Sequence, residues 1–176
     1  MVPTLETQRL LLREIRPEDI DSIYDCFSNA EAMKYYGQDP FTDKAQAINL
    51  INHFTSIHQE QKGMRWGIQL IGQDKLIGTI GFNLWTPKYR RAEIGYEIHP
   101  DFWGQGYATE IISEVIQYGF RELQLARIGA VVLMDNEASH KVLKKSGFEQ
   151  EGILRNYIYQ NGRSHDTCVY SILNTN

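Results

Sequence analysis

The sequence predicts an α+β (α/β) fold, a mixed central β-sheet with about four helices packed on it. Three observations lead there. Short apolar runs of strand length are separated by turn signals, and longer stretches carry apolar residues at helical spacing. Their order is β, α, α, three hairpin-connected strands, α, β, α, β, β. The composition is globular: 176 residues, 42% apolar and 23% charged. That length suits a single domain spanning residues 1–176.

Taken in order, Arg9–Ile15 (RLLLREI) is a short apolar run that suits a strand. Pro17 opens a helix whose first turn holds Glu18, Asp19 and Asp21, where the helix dipole favours acids. Ile20, Ile23, Tyr24 and Phe27 follow at helical spacing. A second helix runs from Thr42 or Asp43 to about Gln59, with Ala47, Ile48, Ile51, Phe54 and Ile57 as its apolar side. Three strands come next, Arg65–Ile71, Leu76–Leu84 and Arg91–His99. Gly72–Lys75 reads as the first turn between them, and the stretch around Pro87 as the second. A long helix carries Ala108, Ile111, Ile112, Val115, Ile116, Phe120 and Leu123 on its buried stripe. Arg127–Leu133 is a buried strand. The helix after it is capped by Asp135 or Asn136, has Lys144 and Lys145 in its last turn and stops at Gly147. Phe148–Ile153 and Tyr157–Tyr159 are strand material, Asn161-Gly162 is a hairpin turn, and Ser164–Leu173 is the last strand.

Several function classes are disfavoured at this level. The net charge is −4 and the pI about 5.7, against the basic character expected of a nucleic-acid binder. Cys26 and Cys168 form no CxxC pair, so neither a disulfide framework nor a zinc site is implied, and no metal is expected. His53 and His58 are five apart and share no metal-binding helix face. The first residues do not form a signal peptide, and no apolar run reaches membrane-spanning length. A cytoplasmic protein without membrane or nucleic-acid partners is the expectation.

The most informative stretch is EIGYEIHPDFWGQGYAT, residues 93–109. A strand ends at His99-Pro100, and a turn with Gly104 and Gly106 leads into an amphipathic helix. Free N–H groups at a helix start, together with its dipole, make an anion site, and glycines let the backbone approach a phosphate. The plain alternative is a tight strand-to-helix turn that needs glycine. Neither a Walker loop nor a dinucleotide fingerprint is present, since no GK[ST] follows and Thr109 stands where a third glycine belongs. Phosphoryl transfer would also need a lysine and a Mg²⁺ ligand near the loop, and none appears. Further on, Asn136 and Ser139 lie three apart on one helix face, with Leu143 one turn beyond.

Together these motifs resemble the GCN5-related N-acetyltransferase (GNAT) superfamily, in its RimJ/RimL-like branch of ribosomal-protein N-acetyltransferases. The matching stretches are TQRLLLREIRPEDID, HPDFWGQGYATE, DNEASHKVLKKSGF and NGRSHDTCVYSIL, which reach across the whole chain. The resemblance is weakest over residues 22–61. It implies acetyl-CoA as donor, and direct attack by a primary amine in a ternary complex. The amine would be a protein N-terminus, such as that of a ribosomal protein, or a small molecule. It also implies strands Arg91–His99 and Arg127–Leu133 splayed at one end. The pantetheine arm would pair with backbone near Glu97, Ile98 and His99. The pyrophosphate would sit on Trp103, Gly104, Gln105, Gly106, Tyr107, Ala108 and Thr109. Asn136 would bond the pantetheine, Ser139 would lie by the thioester sulfur, and Val142, Leu143 and Lys145 would lie near the adenosine. Members occur as monomers and homodimers. A non-catalytic acyl-CoA-binding sensor on the same fold is the alternative.

The chain departs from the family pattern at Asp101, where Gln or Arg is common, and at Gln105, where a basic residue is common. Both changes remove positive charge from the pyrophosphate, which Lys141, Lys144 and Lys145 could restore. The reacting amine must lose a proton. Glu93, Gly95, Glu97 and His99 share one face of their strand, opposite Ala92, Ile94, Tyr96 and Ile98. Glu93 matches the glutamate that serves as base in some members, directly or through water. The stretch RNYIYQNG lacks the late glutamate that others use. His165-Asp166 has no serine elbow to serve and reads as structural. Met33, Tyr35, Tyr36, Trp66 and Trp85 read as core or acceptor-pocket lining.

Overall fold

The computed structural model describes residues 1–175. Eight strands form one mixed sheet. They are β1 (Leu5–Glu6), β2 (Leu10–Arg13), β3 (Met64–Leu70), β4 (Leu76–Thr86), β5 (Arg91–Ile98), β6 (Arg127–Leu133), β7 (Glu149–Gln160) and β8 (Arg163–Leu173). Their order is β1-β2-β3-β4-β5-β6-β8-β7. Every neighbouring pair is antiparallel except β5–β6. The helices are α1 (Ile20–Ser28), α2 (Ala30–Met33), α3 (Lys44–Gln59), α4 (Tyr107–Arg121) and α5 (Glu137–Lys145).

Both faces of the sheet are covered. On one, Ile111, Ile112 and Val115 of α4 are fully buried in a core with Trp66, Ile80, Phe82 and Ile94. On the other, α1 to α3 bury Ile23, Phe27, Met33, Ala47 and Ile51. Phe27 stacks on Phe41 and meets Tyr36 edge-on, with ring centroids 5.3 and 5.4 Å apart. Among the described residues no helix is long and apolar enough to cross a membrane.

The observed elements follow the expected order, with informative differences. Pro17 opens a 3₁₀ turn, Pro17–Asp19, before α1 begins. Asp43, not Thr42, caps α3, accepting from the Ala45 amide at 2.7 Å. The apolar stripe of α3 is narrower than expected: Ile48 is 44% exposed, while Leu50 packs inward beside Ile51 and Phe54. β1 and α2 had no visible signal, being two and four residues long. The two expected strand pieces around residue 155 are one strand, β7. Its register against β8 shifts at Gln150/Gly152 and Leu154/Ile158, which breaks the period-two pattern that would have joined them. Cys26 and Cys168 are free and buried.

Candidate active site

The parallel ladder between β5 and β6 is short. It pairs Arg91 with Arg127, Ala92 with Ile128 and Glu93 with Gly129, and then ends. Past Glu93 the two strands line a cleft of about 930 Å³. Consecutive strand residues point to opposite faces. Yet Glu93, Ile94, Gly95, Tyr96, Glu97 and Ile98 all line this cleft. It is therefore a slot that passes through the sheet and opens on both sides. On the α4–α5 side its walls include Tyr107, Ala108, Thr109, Asn136, Ser139, Val142 and Leu143; on the α1–α2 side they include Glu31, Tyr35 and Tyr36.

One end of the slot is the glycine loop. Gly104 and Gly106 have φ of +73° and +82°, a left-handed backbone that favours glycine. Gly106 is the N-cap of α4, and no side chain caps the helix. The amides of Gly104, Gln105 and Gly106 have no protein acceptor among the described residues. A Cβ at Gly104 would meet nothing within 4 Å, so the loop faces open space. This is a backbone cradle fitted to an anionic group. Neither Asp101 nor Gln105 brings a cation to it. Arg9 does: its Nη1 donates to the Gln105 carbonyl at 2.9 Å, and its guanidinium lies 4.5 Å from the Tyr107 ring centroid. Arg9 is held there by Glu110, whose carboxylate accepts from its Nε at 2.8 Å.

At the far wall, Asn136 caps α5, its Oδ1 accepting from the Ser139 amide at 3.3 Å. Asn136 Nδ2 donates to Ser139 Oγ at 3.0 Å, and Tyr96 Oη lies 3.1 Å from the same oxygen. His140 ties the helix to the sheet beneath, with Nδ1 2.6 Å from the Tyr170 hydroxyl.

Glu93 is half-buried at the point where β5 and β6 part. Burial holds its carboxyl above the usual carboxylate range, although Arg127 and Arg91 pull the other way. Glu97 differs from an exposed face residue. Its side chain and that of Arg65 are 2% and 1% exposed, and Arg65 Nη2 donates to it at 2.8 Å. Thr79 Oγ1 donates to the same carboxylate at 2.5 Å. The guanidinium also reaches the Tyr36 hydroxyl at 2.8 Å and the Gly95 carbonyl at 3.0 Å. Burial pushes the Glu97 carboxyl up to about 7 against the pull of Arg65.

The slot brings together Glu93, Glu97, Ile98, Trp103, Gly104, Gly106, Tyr107, Ala108, Thr109, Asn136, Ser139, Val142 and Leu143. His99, Gln105 and Lys145 do not line it. His99 turns to α1 and the loop, within 3.6 Å of Asp25 and of Asp101. Its amide bonds to Ile77 on the β4 side, so the main-chain groups of the preceding residue, Ile98, face the gap. The Ile98 carbonyl already accepts from Trp103 Nε1 at 2.7 Å. Sequence reasoning did not single out Tyr96, Arg65, Asn83 or Glu31. Alternation had placed Tyr96 opposite Glu93, but a slot open to both faces has no signature in a strand pattern. Among the described residues no group of three His, Cys, Asp or Glu is placed to hold a metal.

Residues 9–149 match the model of the acetyltransferase (GNAT) domain family. An uncharacterised N-acetyltransferase of Bacillus subtilis, YoaA, is 53% identical over 98% of both chains. The spermidine N-acetyltransferase of Vibrio cholerae, solved with CoA and spermine, superposes with a TM-score of 0.82 at 26% identity, covering 93% of this chain and 95% of its own. RimL, the ribosomal alpha-N-protein acetyltransferase solved with coenzyme A, shares the fold with a TM-score of 0.86 at 21% identity, covering 97% and 98%. With the glycine loop, the slot and the Asn136–Ser139 helix in place, this chain belongs to the GNAT acetyltransferase family and is an N-acetyltransferase.

Proposed function

We propose that residues 1–176 form one N-acetyltransferase domain that takes acetyl-CoA on the α4–α5 side of the slot and a primary amine on the α1–α2 side. The carrying observation is the slot itself, which joins a phosphate-sized backbone cradle to a half-buried carboxylate through the gap between β5 and β6. Acetyl-CoA supplies the activated acetyl group. Loop amides from Gly104 to Thr109 and the nearby Arg9 hold its pyrophosphate, and Asn136 bonds its pantetheine arm. Ser139 donates a hydrogen bond to the leaving sulfur. Glu93 accepts the proton of the attacking amine, directly or through one water.

The acceptor side is lined by Glu31, Glu93, Asn83, Tyr35 and Tyr36. Two carboxylates and two tyrosine rings favour an amine that carries further positive charge, through attraction and cation–π contact. Relatives named for their acceptors include spermidine and ribosomal N-acetyltransferases, and both classes of acceptor offer such amines.

Calorimetric titration with acetyl-CoA, free CoA and ATP tests the donor half. One-to-one binding of both CoA species but not ATP is expected, and no binding of acetyl-CoA would overturn it. An acceptor panel of polyamines, basic N-terminal peptides and neutral amines, scored by thiol release, tests the other half. Preference for neutral amines would refute the charge argument.

A further inference from the structure

Ser139 Oγ is the meeting point of two contacts, and their directions can be assigned. Asn136 Oδ1 accepts from the Ser139 amide, so its Nδ2 is the group that donates to Ser139 Oγ. The Tyr96 phenol is the more acidic of the two hydroxyls that meet at 3.1 Å, so it donates and the serine accepts. A hydroxyl oxygen has two lone pairs and one hydrogen. With both lone pairs filled, the serine hydrogen must point elsewhere. No other acceptor for it is found among the described residues, and Tyr96 and Ser139 both line the slot. A hydroxyl that accepts two hydrogen bonds is also polarised into a stronger donor.

We propose that Tyr96 is a positioning residue for thioester cleavage: it fills the second lone pair of Ser139 Oγ and so holds the serine O–H as a donor aimed into the slot. The inference rests on the reading that the thioester sulfur lies beside Ser139. As the amine nitrogen bonds to the acetyl carbon, the C–S bond breaks and its electron pair stays on sulfur. The serine O–H stabilises that charge without giving up its proton. The proton that converts thiolate to thiol comes from solvent, and the amine's proton leaves through Glu93 to solvent. Burial raises the Tyr96 phenol above its ordinary value, which keeps it a donor at working pH.

Free coenzyme A gives a readout that needs no acceptor. Its thiol can be titrated while bound, by the ultraviolet absorbance of the thiolate. The wild-type protein is expected to lower that thiol's pKa relative to free CoA. Tyr96→Phe, which keeps the ring, should raise it by about one unit, the worth of a charge-assisted hydrogen bond. Ser139→Ala should raise it at least as much, and the double variant no further than Ser139→Ala alone. Tyr96→Met, lacking ring and hydroxyl, should match Tyr96→Phe. Affinity for acetyl-CoA, which has no thiol, should be unchanged in Tyr96→Phe; its loss would mark a merely structural role and overturn the proposal. A wild-type pKa in Tyr96→Phe alongside a raised one in Ser139→Ala would also overturn it, leaving the Ser139 reading intact. A wild-type pKa in Ser139→Ala would instead sink the Ser139 reading itself.

Discussion

Arg65→Leu is the sharpest probe of how the acceptor side is built. The wild-type side chain satisfies four partners at once: the Glu97 carboxylate, the Thr79 hydroxyl, the Tyr36 hydroxyl and the Gly95 carbonyl. Leucine fills part of the volume but leaves Glu97, 2% exposed, with no cation. Breaking a buried ion pair from one side costs about 3–5 kcal/mol. At about 2–4 °C per kcal/mol for a chain of this size, Tm should fall by about 6–20 °C. The loss should depend on pH. In the wild type the folded carboxyl titrates at about 7, above the unfolded value of about 4.3. Its titration therefore contributes stability that is fully present below the unfolded value and lost as pH rises through 7. Without Arg65 the folded value moves further up, so the variant should be hurt more at about pH 8 than at about pH 5.5. Urea unfolding at both pH values measures this. The pair replacement Arg65→Met with Glu97→Leu should recover most of the loss, because no charge is left buried. A single variant that loses less than about 1 kcal/mol at both pH values would mean that the pair is solvated, against the geometry.

Glu93→Gln should lower kcat by about 10²–10⁴-fold, as loss of a general base does, with acetyl-CoA affinity unchanged by calorimetry. An unchanged rate with a saturating amine removes Glu93 as base. The pH–rate profile of the wild type should rise through a carboxyl ionisation above the usual carboxylate range, because burial raises Glu93, and that limb should vanish in Glu93→Gln. Gly104→Val puts a branched side chain at φ +73° and into the space that faces the ligand. Affinity for CoA should drop, read by calorimetry, and wild-type binding would mean that the phosphates sit elsewhere. Arg9→Ala should weaken CoA binding while costing only about 0–1 kcal/mol in urea unfolding, since the Arg9 side chain is 43% exposed and its pair with Glu110 is partly solvated.

The sequence carried the elements whose signal is local. β6 falls on Arg127–Leu133 as expected, because a mostly buried strand shows as a nearly unbroken apolar run. The glycine loop and the Asn136 cap were legible because backbone conformation restricts the residue at each position. What stayed hidden depends on distant partners. Glu97 reads as a charge on a polar strand face until Arg65, 32 residues earlier, and Thr79 are seen beside it. Arg9 reads as the first residue of an apolar strand until the fold carries it to a loop 96 residues on. Neither placement leaves a trace in periodicity.

The same strand explains why Glu93 and Tyr96 can serve one reaction from opposite faces. β5 keeps an unbroken ladder with β4 from Glu93 to Ile98, so those residues stay in strict alternation. Its ladder with β6 stops after three residues, so the gap exposes both faces at once. On the proposed function, residues facing α1–α2 would meet the amine, and residues facing α4–α5 the thioester. The proposed base on the first face and the proposed aligned donor on the second would then lie on either side of the bond being exchanged. Restoring the β5–β6 ladder would close the slot and separate the two groups by the thickness of the sheet. The early end of this one parallel pairing is therefore the feature on which the proposed chemistry depends, more than any single side chain within it.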